Sequence, residues 1–328
     1  MEWIDFATPK TISEAVELLA SKGDRAKIMA GGTDLIVQLR GGRHSLDLVV
    51  DGKQIPELNE MSYSAQNGLV LGAAVPCYRL YADATISAAY PGLMDSATLI
   101  GGIQIQGRAT VGGNICNAAP SGDSIPAVIV LGGVCHIAGP NGTREIATED
   151  FCTGPGRNVL ETGEILVSVH IPAPQAHSGA SYLRFIPRNE MDIAVAGVGS
   201  SVVLDASGQN FVSARISLAS VAPIPVFAKE AADSLAGKPV SEAAIQEASE
   251  KATAAATPIS DMRGTIKQRN HLVGVLTRRT LNNAVQRARG GKKCPDLPMY
   301  KQPSTVKKQI FFVSRGRACW KSFGTSWA

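Results

Sequence analysis

Two pairs of adjacent glycines, Gly31-Gly32 and Gly112-Gly113, offer the clearest chemistry in this 328-residue chain. Each has a threonine beside it, Thr33 after the first pair and Thr110 before the second. A tight glycine turn lets the backbone approach closely and adopt φ > 0, so that successive N–H groups converge on an anion. A helix that follows adds its positive end. A diphosphate suits such turns, and the threonine hydroxyl supplies a further donor. Either pair alone is more often an ordinary turn in a chain with 33 glycines, but two pairs together point to a dinucleotide.

The other nucleotide signatures are missing. No Gly-x-x-x-x-Gly-Lys-Ser/Thr occurs, which excludes a P-loop. No Gly-x-Gly-x-x-Gly follows the first expected strand, which disfavours a Rossmann NAD site. The run Gly101-Gly102-Ile-Gln-Ile-Gln-Gly107 is rich in glycine without that spacing. Metal chemistry finds no support either. The cysteines at 77, 116, 135, 152, 294 and 319 include no Cys-x-x-Cys pair, and the histidines at 44, 136, 170, 177 and 271 are not at ligand spacing. No protein-bound metal is expected, and the cysteines read as reduced thiols of a cytoplasmic protein.

Several elements are needed to position the two turns. Thr11-Ile-Ser-Glu14 is a capping-box pattern that opens a helix over Ile12 to Ala20. Ala26 to Ala30 reads as a strand, and Leu35 to Leu39 as a helix, so the first turn lies between strand and helix. Further strands are expected at Asp47 to Val50 and Gly68 to Ala74. A helix over Thr85 to Ile100 leads towards Thr110-Val-Gly-Gly-Asn114. Strands are then expected at Ala127 to Leu131, Val134 to Ala138 and Glu164 to Ile171. The segment Ile171 to Gly179, with Pro172 and Pro174, reads as a linker. Beyond it, Ile193 to Leu204 and Phe211 to Val221 read as a hairpin joined by Asp205 to Asn210, followed by helices over Ser241 to Ala256 and Ile266 to Ala288.

Composition narrows the function classes. With 45% hydrophobic and 18% charged residues the chain has material for two or three domains. The net charge of +4 is uneven: residues 1–289 hold 24 basic and 27 acidic side chains, and the basic excess lies from Gly290 onward. A basic-groove nucleic-acid binder is therefore disfavoured. The start, Met-Glu-Trp-Ile-Asp-Phe, carries acid where a signal peptide needs base, and no apolar run reaches the roughly 20 residues of a membrane span.

Ala30-Gly31-Gly32-Thr33-Asp34-Leu35 and Thr110-Val111-Gly112-Gly113-Asn114-Ile115 resemble the paired FAD motifs of the flavin subunit of molybdenum hydroxylases, the xanthine dehydrogenase and aerobic carbon monoxide dehydrogenase family. The opening Phe6 to Leu19, the segment Gly163 to Pro172 and Arg188-Asn-Glu-Met-Asp-Ile-Ala194 are similar to further landmarks of that family, in its order. The resemblance implies an α+β fold of the vanillyl-alcohol-oxidase type. Its expected domains are FAD subdomains at 1–58 and 59–175 and a C-terminal α+β domain at 176–289, with a basic tail at 290–328 left outside the fold.

The resemblance also implies residue roles. Ile28, Met29, Ala30, Gly31, Gly32, Thr33, Asp34 and Leu35 would wrap the diphosphate from one side, and Thr110, Gly112, Gly113 and Asn114 from the other. Ile100 and Leu166 match apolar positions lining the cofactor. Asp123 matches an acid near the FAD, and by the residues alone it is equally a turn cap before Pro126. Arg184 stands at a position commonly lysine in relatives, where a cation stabilises the N1–C2=O side of a reduced flavin. Cys116 and Met191 match positions near the flavin ring and carry no assigned role. No catalytic residue is expected in this chain.

The family implies partners as well, a small 2Fe-2S subunit and a large molybdopterin subunit. The chain would be the FAD-dependent electron-transfer subunit between them and NAD+ or another acceptor. The alternative is a self-contained FAD-dependent oxidoreductase of the same fold. From another class, a scaffold subunit that has lost its flavin would show no flavin absorption.

Overall fold

The computed structural model describes residues 3–188 and 191–291. The basic tail expected from residue 290 thus lies, apart from its first two residues, outside the described residues.

The chain begins with β1 (Asp5–Ala7), α1 (Ile12–Lys22), β2 (Ala26–Met29), α2 (Leu35–Arg40) and β3 (Leu48–Asp51), and its strands pair in parallel in the order β1-β3-β2. Thr11 caps α1 by accepting the Glu14 N–H at 3.2 Å, and Glu14 reaches back to the Lys10 N–H at 2.8 Å. The Glu14 N–H of the first turn and the Lys10 N–H before the cap are satisfied in this way. Ala15, Val16 and Leu19 bury the opposite face of α1 against Leu48, Val50 and Ile165.

The middle of the chain adds β4 (Met61–Ser64), β5 (Gly68–Gly72), α3 (Cys77–Ala82), α4 (Ala84–Ala89), α5 (Pro91–Ala97), α6 (Ile103–Gln106), α7 (Val111–Asn117) and α8 (Ser124–Val130). It continues with β6 (Val134–Gly139), β7 (Gly142–Ala147), the short hairpin β8 (Cys152–Gly154) and β9 (Arg157–Asn158), and β10 (Ile165–Ile171). An antiparallel sheet in the order β4-β5-β10-β6-β7 supports the helices.

Two expectations are corrected here. Ala127 to Leu131, read as a strand, lies in α8, whose seven residues are all buried. A run that is apolar on every side has no period to tell helix from strand. The single helix expected over Thr85 to Ile100 is two, α4 and α5, because Pro91 cannot continue α4 and instead starts α5, with Tyr90 at φ −124° and ψ 60° between them.

After the irregular segment 172–177 the chain forms β11 (Ser178–Phe185), β12 (Ala196–Leu204), β13 (Phe211–Ala219) and β14 (Val226–Phe227), an antiparallel sheet in that order. The expected hairpin is β12–β13, and β11, which carries Arg184, pairs with β12. The helices α9 (Lys229–Asp233), α10 (Glu242–Ala255) and α11 (Ile266–Ala288) complete this layer, with α11 lying against β11 and β12. Polar contacts join it to the middle layer. Ser201 Oγ donates to the Val130 carbonyl at 2.6 Å, and Arg287 grips Asp95 on α5 through two nitrogens at 2.6 and 2.9 Å.

Candidate cofactor groove

Each glycine turn is shaped by a requirement that no other residue meets. Gly32 sits at φ +77°, in the left-handed region. A Cβ on Gly31 would lie 2.0 Å from the Arg108 carbonyl oxygen, so the first turn is pressed against the backbone that leads into Thr110. A Cβ on Gly112 would lie 2.5 Å from Ala73 Cα, which seats the second turn on the end of β5. The two turns, about 80 residues apart in sequence, are thereby brought side by side.

The second pair is not a loop. Gly112 and Gly113 occupy the first turn of α7, where the Thr110 hydroxyl caps the Gly113 N–H at 2.8 Å. Asn114, next in α7, accepts the Ser124 hydroxyl at 2.7 Å.

Between the turns runs a groove of about 1050 Å³. Its wall includes Ile28, Met29, Ala30, Gly31, Gly32, Thr33, Asp34, Leu35, Ile100, Thr110, Gly112, Gly113, Asn114 and Leu166. Among the described residues, the N–H groups of Gly31 to Leu35 and of Val111 and Gly112 donate to no acceptor within the chain. Backbone donors left unmet beside a groove require an acceptor from outside, and a phosphate supplies several. Lys27 and Arg43 stand on the same wall, with Asp24, Asp34, Glu161 and Glu164 also along it, so the groove is of mixed charge. Burial, Lys27 and Arg43 together hold the His44 imidazole below its usual pKa, and the ring is neutral near pH 7.

Asp123 and Arg184 are not on that wall. They form a buried ion pair at the start of α8, and Tyr182 donates its hydroxyl to Asp123 at 2.7 Å. The Asp123 carboxylate caps no helix, so the turn-cap alternative does not describe its side chain. Burial pushes its pKa up, and Arg184 and Tyr182 hold it part of the way back. Arg184 Nε is buried without a partner. Cys116 lines the groove, with its thiol raised in pKa by burial and so poorly nucleophilic. Met191 lies exposed at φ +54°, where its sulfur accepts from Gln104 Nε2 at 3.2 Å. Lys27, Gln38, Arg43, His44 and Asn117 also line the wall without having been singled out from the sequence, since a lone polar residue in an amphipathic segment carries no local signal.

The donors and the groove's size fit a dinucleotide with a diphosphate at its centre. Residues 2–174 match the family of the FAD binding domain in molybdopterin dehydrogenase, and residues 181–284 match the CO dehydrogenase flavoprotein C-terminal domain. The chain therefore belongs to the family of FAD-binding flavoprotein subunits of xanthine dehydrogenase and carbon monoxide dehydrogenase type. It is 32% identical over 292 residues to the xanthine dehydrogenase FAD-binding subunit of Escherichia coli O157:H7, covering 88% of this chain and 99% of the relative. To the carbon monoxide dehydrogenase medium chain of Afipia carboxidovorans it is 32% identical over 285 residues, 87% of this chain and 98% of that one. Its fold superimposes on a chain of reconstituted CO dehydrogenase from Oligotropha carboxidovorans with a TM-score of 0.83 at 31% identity, covering 87% and 99% of the two chains.

This is an FAD flavoprotein, an oxidoreductase subunit of the molybdenum-hydroxylase type with an α+β fold. Among the described residues, no cluster of His, Cys, Asp and Glu could hold a metal ion, and no helix is long and apolar enough to cross a membrane.

Proposed function

We propose that this chain relays electrons inside a multisubunit molybdenum hydroxylase, receiving them from a 2Fe-2S partner subunit and passing them to NAD+ or another acceptor, while a large molybdopterin subunit transforms the substrate. Bound FAD supplies the ability to take electrons singly and release them in pairs. The chain's own residues bind and orient it. The N–H groups of Gly31 to Leu35 hold the diphosphate from one side, and that of Gly112 from the other. Ile28, Met29, Ile100 and Leu166 keep water from its apolar parts.

Asp123 and Arg184 act from behind the wall in this reading. Asp123 is adjacent to Ser124, whose hydroxyl fixes Asn114, so the buried pair sets the position of the second turn. We assign residues 1–58 and 59–175 to the two FAD subdomains and 176–289 to the domain that covers them.

The observation that carries this reading is the row of unmet backbone donors on both walls of one groove. It is tested by Gly113→Leu. A Cβ there would meet only the Thr110 hydroxyl, at 2.8 Å, so the added side chain fills the groove without striking backbone. The variant is expected to keep its circular dichroism and lose the visible flavin band. A variant with its full complement of FAD would overturn the assignment. For the relay, native purification is expected to bring down a 2Fe-2S chain and a molybdopterin chain. A lone chain that still turns over a substrate would mark it as a self-contained oxidoreductase.

A further inference from the structure

The helix behind the first glycine turn is attached to the rest of the chain in an unusual way. α2 buries none of its residues, and none of them belongs to the three hydrophobic cores. Two of its apolar side chains are exposed, Ile36 by 41% and Val37 by 66%, while Leu35 and Leu39 are half-buried. Glycine pairs flank it, Gly31-Gly32 before and Gly41-Gly42 after, and Gly32 and Gly42 both have positive φ, at +77° and +68°. Such a segment is stabilised by little burial and has permissive backbone at both ends.

One side chain ties it across the groove. Gln38 Nε2 donates to Asn117 Oδ1 at 2.9 Å, and His44 Nε2 lies 3.0 Å from Gln38 Oε1. Among the described residues these are the only side-chain hydrogen bonds that α2 makes. Gln38 thus donates an amide N–H to Asn117 while its oxygen accepts from the His44 ring. Asn117 stands on α7, which is anchored by the buried residues Val111, Gly112 and Ile115. The bond therefore joins the loose wall of the groove to the firm one, and Gln38, His44 and Asn117 all line the space between them.

We infer that Gln38, Asn117 and His44 form a clasp that gates exchange of the dinucleotide, with α2 swinging on its two glycine pairs to admit and release FAD. The inference rests on the reading that this groove holds the diphosphate. A clasp that is closed both with and without the cofactor slows entry and exit alike, because only the opened fraction of molecules can bind or release. Its signature is kinetic. A residue that merely touched the cofactor would alter release and affinity while leaving entry unchanged. A structural defect would weaken binding without quickening entry.

The test follows flavin fluorescence during uptake of FAD by the apoprotein and during its release from the loaded chain. Gln38→Ala and Asn117→Ala are each expected to speed uptake by about three- to tenfold, the worth of one hydrogen bond, and to speed release at least as much. The double variant should match Gln38→Ala, which already removes the bond across the groove. Neither side chain belongs to a core, so both variants should fold. Uptake that fails to quicken overturns the clasp, whatever release does. Gly113→Leu, measured beside them, separates the two ideas: if it still binds FAD the groove reading itself fails, and if it loses FAD while both clasp variants exchange at the native rate only the clasp fails.

Discussion

Asp123 shows how one residue serves a site that it does not line. Its two oxygens take the Tyr182 hydroxyl and the Arg184 guanidinium in a place closed to water, with side chains only 9% and 7% exposed for the acid and the base. Such a pair contributes little net stability when whole, since both charges give up hydration to make it. Breaking it is another matter. Asp123→Ala would leave Arg184 buried, charged and without a partner, when its Nε is unmet already. The variant is expected to lose about 3–5 kcal/mol in urea unfolding, against about 1 kcal/mol for Tyr182→Phe, which removes a single hydrogen bond. Equal losses for the two would mean that water reaches the pair. The flavin complement of Asp123→Ala should fall as well, through displacement of Ser124 and Asn114.

Among the elements, the approach to β10 carries the strongest surface linkage to the groove. Arg144 on β7 grips Glu164 through two nitrogens, both at 2.7 Å, and also holds the Val159 carbonyl at 2.8 Å, while Glu164 takes the Glu161 N–H at 2.7 Å. The hydrogen bond from Arg144 is the main reason the Glu164 carboxyl lies below its ordinary value of 4.5. A depressed folded pKa gives stability that is present above the unfolded value and lost as pH falls through the folded one. Thermal melts from pH 6 down to about pH 3 should therefore show a steeper loss for the native chain than for Glu164→Gln, and parallel curves would remove the linkage. How far these elements can be read from sequence depends on how local their causes are. The Thr11 cap and the Gly32 turn are local, and both are legible. The helix α8 is hidden because burial on every side erases its period, and the break at Tyr90 turns on Pro91 alone. The Gln38–Asn117 bond joins residues 79 apart in sequence, a meeting that only the packed α7 creates.

At the scale of the molecule, the chain gathers backbone donors around one groove, and among the described residues no group of His, Cys, Asp and Glu could hold a metal ion. Cys77, Cys135 and Cys152 are buried, and burial pushes their thiols up to about 12, 11 and 11, the opposite of what a cluster or metal ligand needs. Cys116 faces the groove and is raised by burial too. The layers are closed by Arg287 of α11 on Asp95 of α5, and Asp95 also accepts the Tyr182 N–H at 3.0 Å, so the sheet that carries Tyr182 and Arg184 is held to the body of the chain. In the proposed relay this chain positions the flavin and other chains deliver the electrons that reach it. Elemental analysis of the purified chain, set against its flavin absorbance, is expected to give about one FAD per chain with iron and molybdenum far below stoichiometry. Stoichiometric iron that survives gel filtration would place a cluster on this chain and make the relay depend on groups other than those that line the groove.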